Sequence, residues 1–351
     1  MTVDVHDAIA PLAADWDALA VRTAATPFAR PGWLEAWQDA FGGGRLLVLA
    51  ARRQGRLVGV LPVRRRGGGL ASPTNAHTPG FALLAEDAAA RGELIAALYG
   101  LAPRRVRLDY LDAADPTLGD LRRAAALARH GVLCTTVQRS PYLTLAAGED
   151  VDRRLDGKVA RNLRRLHRRL SERGHVTVDL RDGRRRLEDH LAEGFGLEAS
   201  GWKAERGTAI ASSPVTRGFY TAVARWAAAA GLLRLCYLRV DGRAVAFVFA
   251  LRDDAAFYIV KGGYDRNLRR FAPGKLLMRA LLAEAAATGG TRMELLGAEE
   301  PWKREWTGDV HERLLVRSFV QTPLGAAERA AQTAYLRYGR PLARRAVARL
   351  R

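Results

Sequence analysis

Cysteine is nearly absent: Cys134 and Cys236 are the only two in 351 residues. Each lies in a run that reads as a strand, GVLCTTV and LRLCYL. That excludes a disulfide scaffold and leaves buried free thiols in a reducing compartment as the expectation. Histidine is sparse and scattered, at His6, His77, His130, His167, His175, His190 and His311. None is spaced with Cys, Asp or Glu as metal ligands are, so no metal is expected. No apolar run approaches the ~18 residues that cross a bilayer. The opening MTVDVHDAIAPLAADWDAL is polar and acidic, not a secretory signal. A cytoplasmic protein is expected, with the inner face of the membrane as a second place for a peripheral one. Lysine is confined to Lys158, Lys203, Lys261, Lys275 and Lys303.

Arginine, alanine and glycine fill the space that lysine leaves. The net charge is +19, carried almost wholly by guanidinium groups. Such a balance attracts anions, whether small molecules, acidic membrane surfaces or nucleic acid. The Arg/Ala/Gly bias also fits GC-rich coding, which weakens charge as a functional signal. With 48% apolar and 26% charged residues the chain is globular, and its length suits two domains.

The most informative stretch is 257–297, FYIVKGGYDRNLRRFAPGKLLMRALLAEAAATGGTRMELLG. Phe257–Lys261 reads as a buried strand and 262–270 as a polar loop. Pro273-Gly274 opens a helix that Gly289-Gly290 closes, and Met293–Leu296 is a second strand. A helix start presents unpaired N–H groups and partial positive charge, which together bind phosphate. Arg269, Arg270 and Lys275 add full charges, and Gly274 admits a close ligand. Ordinary helix punctuation reads equally well from the motif alone.

Elsewhere the pattern predicts a helix over 27–41, strands at 46–51 and 57–63, a loop over 67–82 and a helix near 88–100. A strand at 106–111, a helix at 117–130 and strands at 132–138 and 141–145 complete the first half. Residues 150–173 read as one strongly basic helix, either a solvated connector or a platform for an anionic ligand. The second half reads as a strand at 175–180, helices at 184–199 and 216–230, and a three-stranded meander over 233–261 turning at Asp241-Gly242 and Asp253-Asp254. The crossover, a short helix at 302–306 and a strand at 314–320 follow. The expected organisation is 1–148, a basic connecting helix at 149–174, a second domain at 175–322 and an Arg/Ala-rich helical tail at 323–351. The two halves share an element order, which suggests a distant duplication.

In their order, PFARPGWLEAWQDAF, GRLVGVLP, KVARNLRRLHRRL, LRVDGRAVAF, YIVKGGYD, FAPGKLLM and PWKREWT resemble the CelD-like group of GNAT acetyltransferases, over about residues 27–320. That group is similar to the Fem-type aminoacyl transferases, which carry two GNAT-like domains. The resemblance implies an α/β (α+β) fold of two tandem GNAT-like domains, each a mixed, mostly antiparallel sheet flanked by helices. It also implies an acyl-CoA site on the second domain, with acetyl-CoA as donor and an amine acceptor such as an amino sugar or envelope precursor. Phe271, Ala272, Pro273, Gly274, Lys275 and Leu276 would form the pyrophosphate loop, with Lys261, Arg269 and Arg270 beside it. The usual loop has Gln or Arg where Phe271 stands and Gly or Ala where Leu276 stands. That departure leaves open a Fem-like donor, aminoacyl-tRNA. A non-catalytic basic binding protein is a third reading.

Acyl transfer to an amine needs a proton acceptor, oxyanion donors and a proton for the leaving thiolate. Candidates at the strand ends are Asp265 or Glu299 as base, Glu198 reaching over from the helix pair, and Tyr264 as proton donor. Asp265 also suits a plain Asp-Arg-Asn turn. Trp202 and Trp302 are candidate sugar-stacking faces, and Lys203 and Lys303 candidate phosphate contacts. The Arg-rich tail is a candidate contact for anionic membrane. The oligomeric state is left open.

Overall fold

The computed structural model describes residues 1–200, 210–290 and 292–339. In chain order the first third supplies β1 (Thr2–His6), α1 (Ala13–Arg22), α2 (Pro31–Phe41), β2 (Arg45–Arg53), β3 (Arg56–Arg66), β4 (Gly69–Ala71), β5 (Leu84–Ala85), α3 (Ala88–Gly100), β6 (Arg105–Asp112), α4 (Thr117–Leu127) and β7 (His130–Thr144). Then come α5 (Val151–Arg154), α6 (Gly157–Ser171), β8 (Val176–Arg181), α7 (Leu187–Ala199), α8 (Pro214–Ala229), β9 (Leu233–Val240), β10 (Arg243–Arg252) and β11 (Phe257–Tyr264). The chain continues with α9 (Pro273–Ala287), β12 (Arg292–Glu294), α10 (Pro301–Arg304), β13 (Val310–Val320) and α11 (Pro323–Ala334).

Two compact units form. The first gathers Met1–Pro31, Gly43–Gln138 and the described chain from Glu312 on; the second gathers Gly32–Gly42 and the described residues of Arg139–His311. Each is a mixed, mostly antiparallel sheet flanked by helices, as the resemblance implies. In the first, β1, β2, β3 and β4 pair antiparallel in turn, β4 runs parallel to β6, and β6 is antiparallel to β13. In the second, β8, β9, β10 and β11 pair antiparallel in turn, β11 runs parallel to β12, and β12 is antiparallel to the end of β7. The order repeats, but each sheet takes its last strand from the far side of the other unit's sequence.

Each unit has its own apolar core. Leu94, Ile95 and Leu98 of α3 meet Leu49, Val58 and Leu108 in the first. Leu277, Leu281 and Leu282 of α9 meet Ile259, Met293 and Leu163 in the second. On the other face of the second sheet lie aromatic rings. Trp33 of α2 meets Phe219 edge-on at 5.3 Å, Phe219 meets Tyr220, and Tyr237 meets Phe247. Burial of rings of this size is the main favourable term such a core has.

Several local expectations are corrected. β1 and α1 form within a segment read only as polar, because Val3 and Trp16 supply a sparse apolar side. β4 interrupts the loop expected over 67–82, β5 follows it, and 130–144 is one strand rather than two. The basic helix expected over 150–173 breaks at Leu155-Asp156, where the Asp156 carboxylate caps α6 by accepting from the Lys158 amide at 2.8 Å. The loop expected from 262 begins later, because β11 runs on to Tyr264 and a short 3-10 turn covers Arg266–Phe271. Cys236 is buried and Cys134 is only half-buried.

Candidate active site

The second unit contains a wedge. β11 pairs with β10 along its whole length, with one irregularity: Phe249 faces Lys261 and Ala250 faces Ile259, so Val260 is an extra residue. Such a bulge bends a strand and increases its twist. On its other side β11 meets β12 only at Phe257–Met293 and Tyr258–Glu294. Beyond that pair the strands part. β12 ends at Glu294, and the next amide, Leu295, bonds to Pro141 of β7 instead. Among the described residues β12 pairs with no residue of β11 beyond Tyr258.

The start of α9 stands at the end of this strand. Ala272 holds φ 48 and ψ 50, a left-handed conformation that turns the chain into the helix, and no side chain caps it. Pro273 brings no N–H. The amides of Lys275 and Leu276 bond to the Ala272 carbonyl at 2.9 and 3.2 Å. The Gly274 amide has no acceptor among the described residues. Gly274 also lies against Tyr264: a Cβ there would stand 3.3 Å from the ring. A bare amide, the helix dipole and a side-chain-free residue make a small anion cradle.

Cations gather around that cradle unequally. The Phe271 ring lies under two guanidinium groups, Arg270 at 4.8 Å and Arg169 at 5.9 Å. Arg169 comes from α6, so the basic helix does reach the turn. Arg269 is exposed. Lys275 instead reaches Glu305, at 2.5 and 2.8 Å to its two oxygens. Leu276 is buried in the core, as is Phe271.

The opposite face of β11 carries Glu198 and Lys261. A Cβ on Gly263 would stand 2.5 Å from the Glu198 Cα, so glycine is what lets α7 cross β11 this closely. Glu198 is fully buried, and its Oε2 accepts from the Ile210 amide at 2.8 Å. Burial pushes the Tyr220 hydroxyl far up, and the nearby Glu198 charge adds to this. The Lys261 ammonium lies 5.5 Å from the centre of the Tyr220 ring.

The remaining candidates sit elsewhere in the unit. Asp265 is buried; its Oδ1 accepts from the Asn267 amide and its Oδ2 from Arg243, each at 3.0 Å. It caps the 3-10 turn. Glu299 bridges Arg139 at 3.2 Å and Arg304 at 3.1 Å. Trp302 donates to Glu300 and packs on the apolar core, and the Lys303 ammonium donates to the carbonyls of Leu296 and Ala298. Trp202 and Lys203 lie outside the described residues. Thus Lys261, Tyr264 and the 269–276 turn lie on one strand and its exit, with Glu198 of α7 crossing that strand at Gly263, whereas Glu299, Trp302 and Lys303 tie a neighbouring loop. The sequence gives no sign of the pair between buried Glu294 and His311, 3.1 Å apart, with Tyr142 stacked on the imidazole at 4.3 Å. These residues meet because Tyr142 of β7 pairs with Glu294 of β12 on one side, and its amide bonds to the Asp309 carbonyl, just before β13, on the other.

A wedge beside an uncapped helix start defines a class. Residues 157–304 match the family model described as "Acetyltransferase (GNAT) domain". This stretch, α6 through α10, is a GNAT-superfamily acetyltransferase domain, and the protein is an acyltransferase. No curated protein sequence matches the chain. Among solved structures, FemX superposes with a TM-score of 0.62 at 11% identity, covering 90% of this chain and 97% of that one. The C-terminal domain of a putative lysylphosphatidylglycerol synthetase from Agrobacterium fabrum gives 0.60 at 14%, covering 93% and 98%. A conserved protein of unknown function from Bacteroides thetaiotaomicron gives 0.56 at 13%, covering 91% and 100%. At these identities the likeness is one of fold.

Proposed function

We propose that the chain is an N-acyltransferase that moves an acetyl or other acyl group from acyl-CoA to an amine, and that the second unit carries the reaction. The observation that carries this reading is the uncapped start of α9 standing at the open end of the β11–β12 wedge. The Gly274 amide, Arg270 and Arg169 hold the donor's diphosphate. An extended donor arm lies along β11 beyond the point where β12 leaves it. The donor supplies a thioester. The acceptor nitrogen forms a bond to its carbonyl carbon as the carbon–sulfur bond breaks. The Tyr264 hydroxyl gives a proton to the departing sulfur, and the Glu198 carboxylate takes one from the nitrogen. Asp265 and Glu299 are set aside because each already serves turn or arginine partners. The acceptor class, an amino sugar or envelope precursor, rests on the resemblance to the CelD-like group.

Calorimetric titration with acetyl-CoA tests the donor. Saturable binding that weakens in a Gly274→Val chain supports it; equal affinity in both chains removes it. One observation favours a second donor, aminoacyl-tRNA. Arg161, Arg165 and Arg168 form an exposed row on α6 leading to the same turn as Arg169. Binding of tRNA that falls steeply with salt, with no coenzyme binding, would select this donor.

A further inference from the structure

At the opposite end of α9 lies a cleft that the acyl-transfer reading does not use. Its volume is about 790 Å³, within the range of small-molecule sites. It opens between the end of β8, the turn that follows, the second residue of β9 and the last of β10. Arg252 donates to the Thr288 carbonyl, where α9 ends, so the cleft stands a helix length of roughly 20 Å from Gly274.

Its lining is dominated by guanidinium groups. Two of them are spoken for: Arg181 pairs with Asp179 and Arg186 with Asp189. Arg184 has Asp182 at 3.4 Å. Arg185, Arg234 and Arg252 have no carboxylate partner among the described residues. Arg234 and Arg252 are half-buried, and their donors meet only main-chain carbonyls, those of Gly231, Leu233 and Thr288. Each guanidinium carries five N–H groups, so donors remain. Burial lowers the Arg234 pKa, Arg252 lowers it further by repulsion, and the nearby Asp182 carboxylate offsets only part of this. Asp182 and Glu284 also line the cleft, and they leave the arginines in excess.

Half-buried like charges that exceed the carboxylates beside them cost free energy that a bound anion recovers. Forked donors converging from two neighbouring strands and a turn suit the oxygens of a phosphate better than a single carboxylate. We propose that this cleft is a second anion site, separate from the donor cradle, that binds a phosphate monoester or diphosphate through Arg185, Arg234 and Arg252. The phosphate belongs to a free metabolite or to a lipid headgroup, and the chemistry of capture is the same.

The test is titration of the full chain carrying Gly274→Val, which silences the helix start, with inorganic pyrophosphate by calorimetry. Saturable binding is expected, and Arg234→Gln with Arg252→Gln should weaken it at least tenfold. Should that pair lower the melting temperature sharply, Arg185→Glu, on an exposed residue, provides the same test and should weaken binding at least threefold. In parallel, vesicles of phosphatidic acid, whose headgroup is a phosphate monoester, are sedimented with each chain. Vesicle binding lost with the arginines, without pyrophosphate binding, assigns the phosphate to a lipid. Pyrophosphate and vesicle binding that are both absent, or both unchanged by the substitutions, overturn the proposal. Neither result depends on whether acetyl-CoA binds at Gly274.

Discussion

The two units build the same strand order and then treat its fourth strand in opposite ways. In the first, the chain that leaves β4 stays against β6: the Ser72 amide bonds to the Arg107 carbonyl, and the Phe81 amide to that of Tyr110. The Ser72 hydroxyl accepts from the Asp109 amide at 3.0 Å. The gap between the parallel strands is thus filled by the protein itself. In the second, β11 and β12 part after two residue pairs, Phe257–Met293 and Tyr258–Glu294. The helix starts differ in the same sense. The first turn of α3 is closed by Asp87, whose carboxylate accepts from the Ala90 amide at 2.8 Å and pairs with Arg53 at 2.7 Å. The bond from Ala90 is the main cause holding that carboxyl below its usual range. α9 starts on Ala272-Pro273-Gly274 with no capping side chain. A carboxylate at α3 occupies the place an anion would take; at α9 that place is open. One framework therefore yields a closed unit and an open one.

Substitutions in matched places sharpen this contrast. The largest effect is expected at the buried acids. Glu198→Gln should lower kcat about 100-fold. Asp109→Asn, which breaks a buried contact with Arg317 in the first unit, should lower the melting temperature and leave kcat near its original value. Steady-state kinetics across pH, beside thermal denaturation, distinguishes them. Next, Gly274→Val should raise the coenzyme Kd at least tenfold, about 1.4 kcal/mol, because the added methyls meet the Tyr264 ring and cover the amide. Its counterpart Ala89→Val at the start of α3 should leave the Kd unchanged.

A third substitution concerns how the open helix is anchored. Asp152 of α5 accepts from Arg279 of α9 at 2.6 and 2.9 Å and from Arg164 of α6 at 2.9 Å. The Arg279 bonds, then those of Arg164, hold its carboxyl below the usual range. The folded chain thus binds this proton less readily than the unfolded chain does. The stabilisation is complete above the unfolded pKa of about 3.9 and is lost as pH falls through the folded value. Asp152→Asn should cost about 2 kcal/mol at neutral pH, and the gap should close in denaturant titrations carried below about pH 4. The smallest effect is expected from Asp87→Ala. It should lower the melting temperature slightly and leave coenzyme affinity as it was, since the filled β4–β6 gap gives a donor nowhere to lie.

Local chemistry made much of the second unit legible. The meander of β9, β10 and β11 follows from β-branched and aromatic runs broken at Asp241-Gly242, which take φ 49 and 79, the left-handed pair that a tight hairpin requires. The start of α9 followed from Pro273-Gly274, and the candidate turn residues Phe271 to Leu276 fall where the strand exits. The reach of the basic helix to this turn, through Arg169 and Phe271, was not legible, since it depends on how α6 lies on α9. Lys275 and Lys303 read as free cations in the sequence, yet Glu305 and main-chain carbonyls engage them. Charge counts in a sequence say nothing of partners thirty residues away. The helix of Trp33 and Trp37 was clear from its spacing, but nothing in that spacing names the core it enters.

By itself the sequence determined most strands and helices of the second unit, where the crossover turns and which stretch offers an amide to an anion. These depend on side-chain periodicity and on the backbone freedom of a few residues, both local. Only the tertiary structure decided which strand completes each sheet, where β11 leaves β12, and which charges keep their counter-ions. Those outcomes rest on hydrogen bonds and burial between residues distant along the chain, and side-chain spacing carries no record of them.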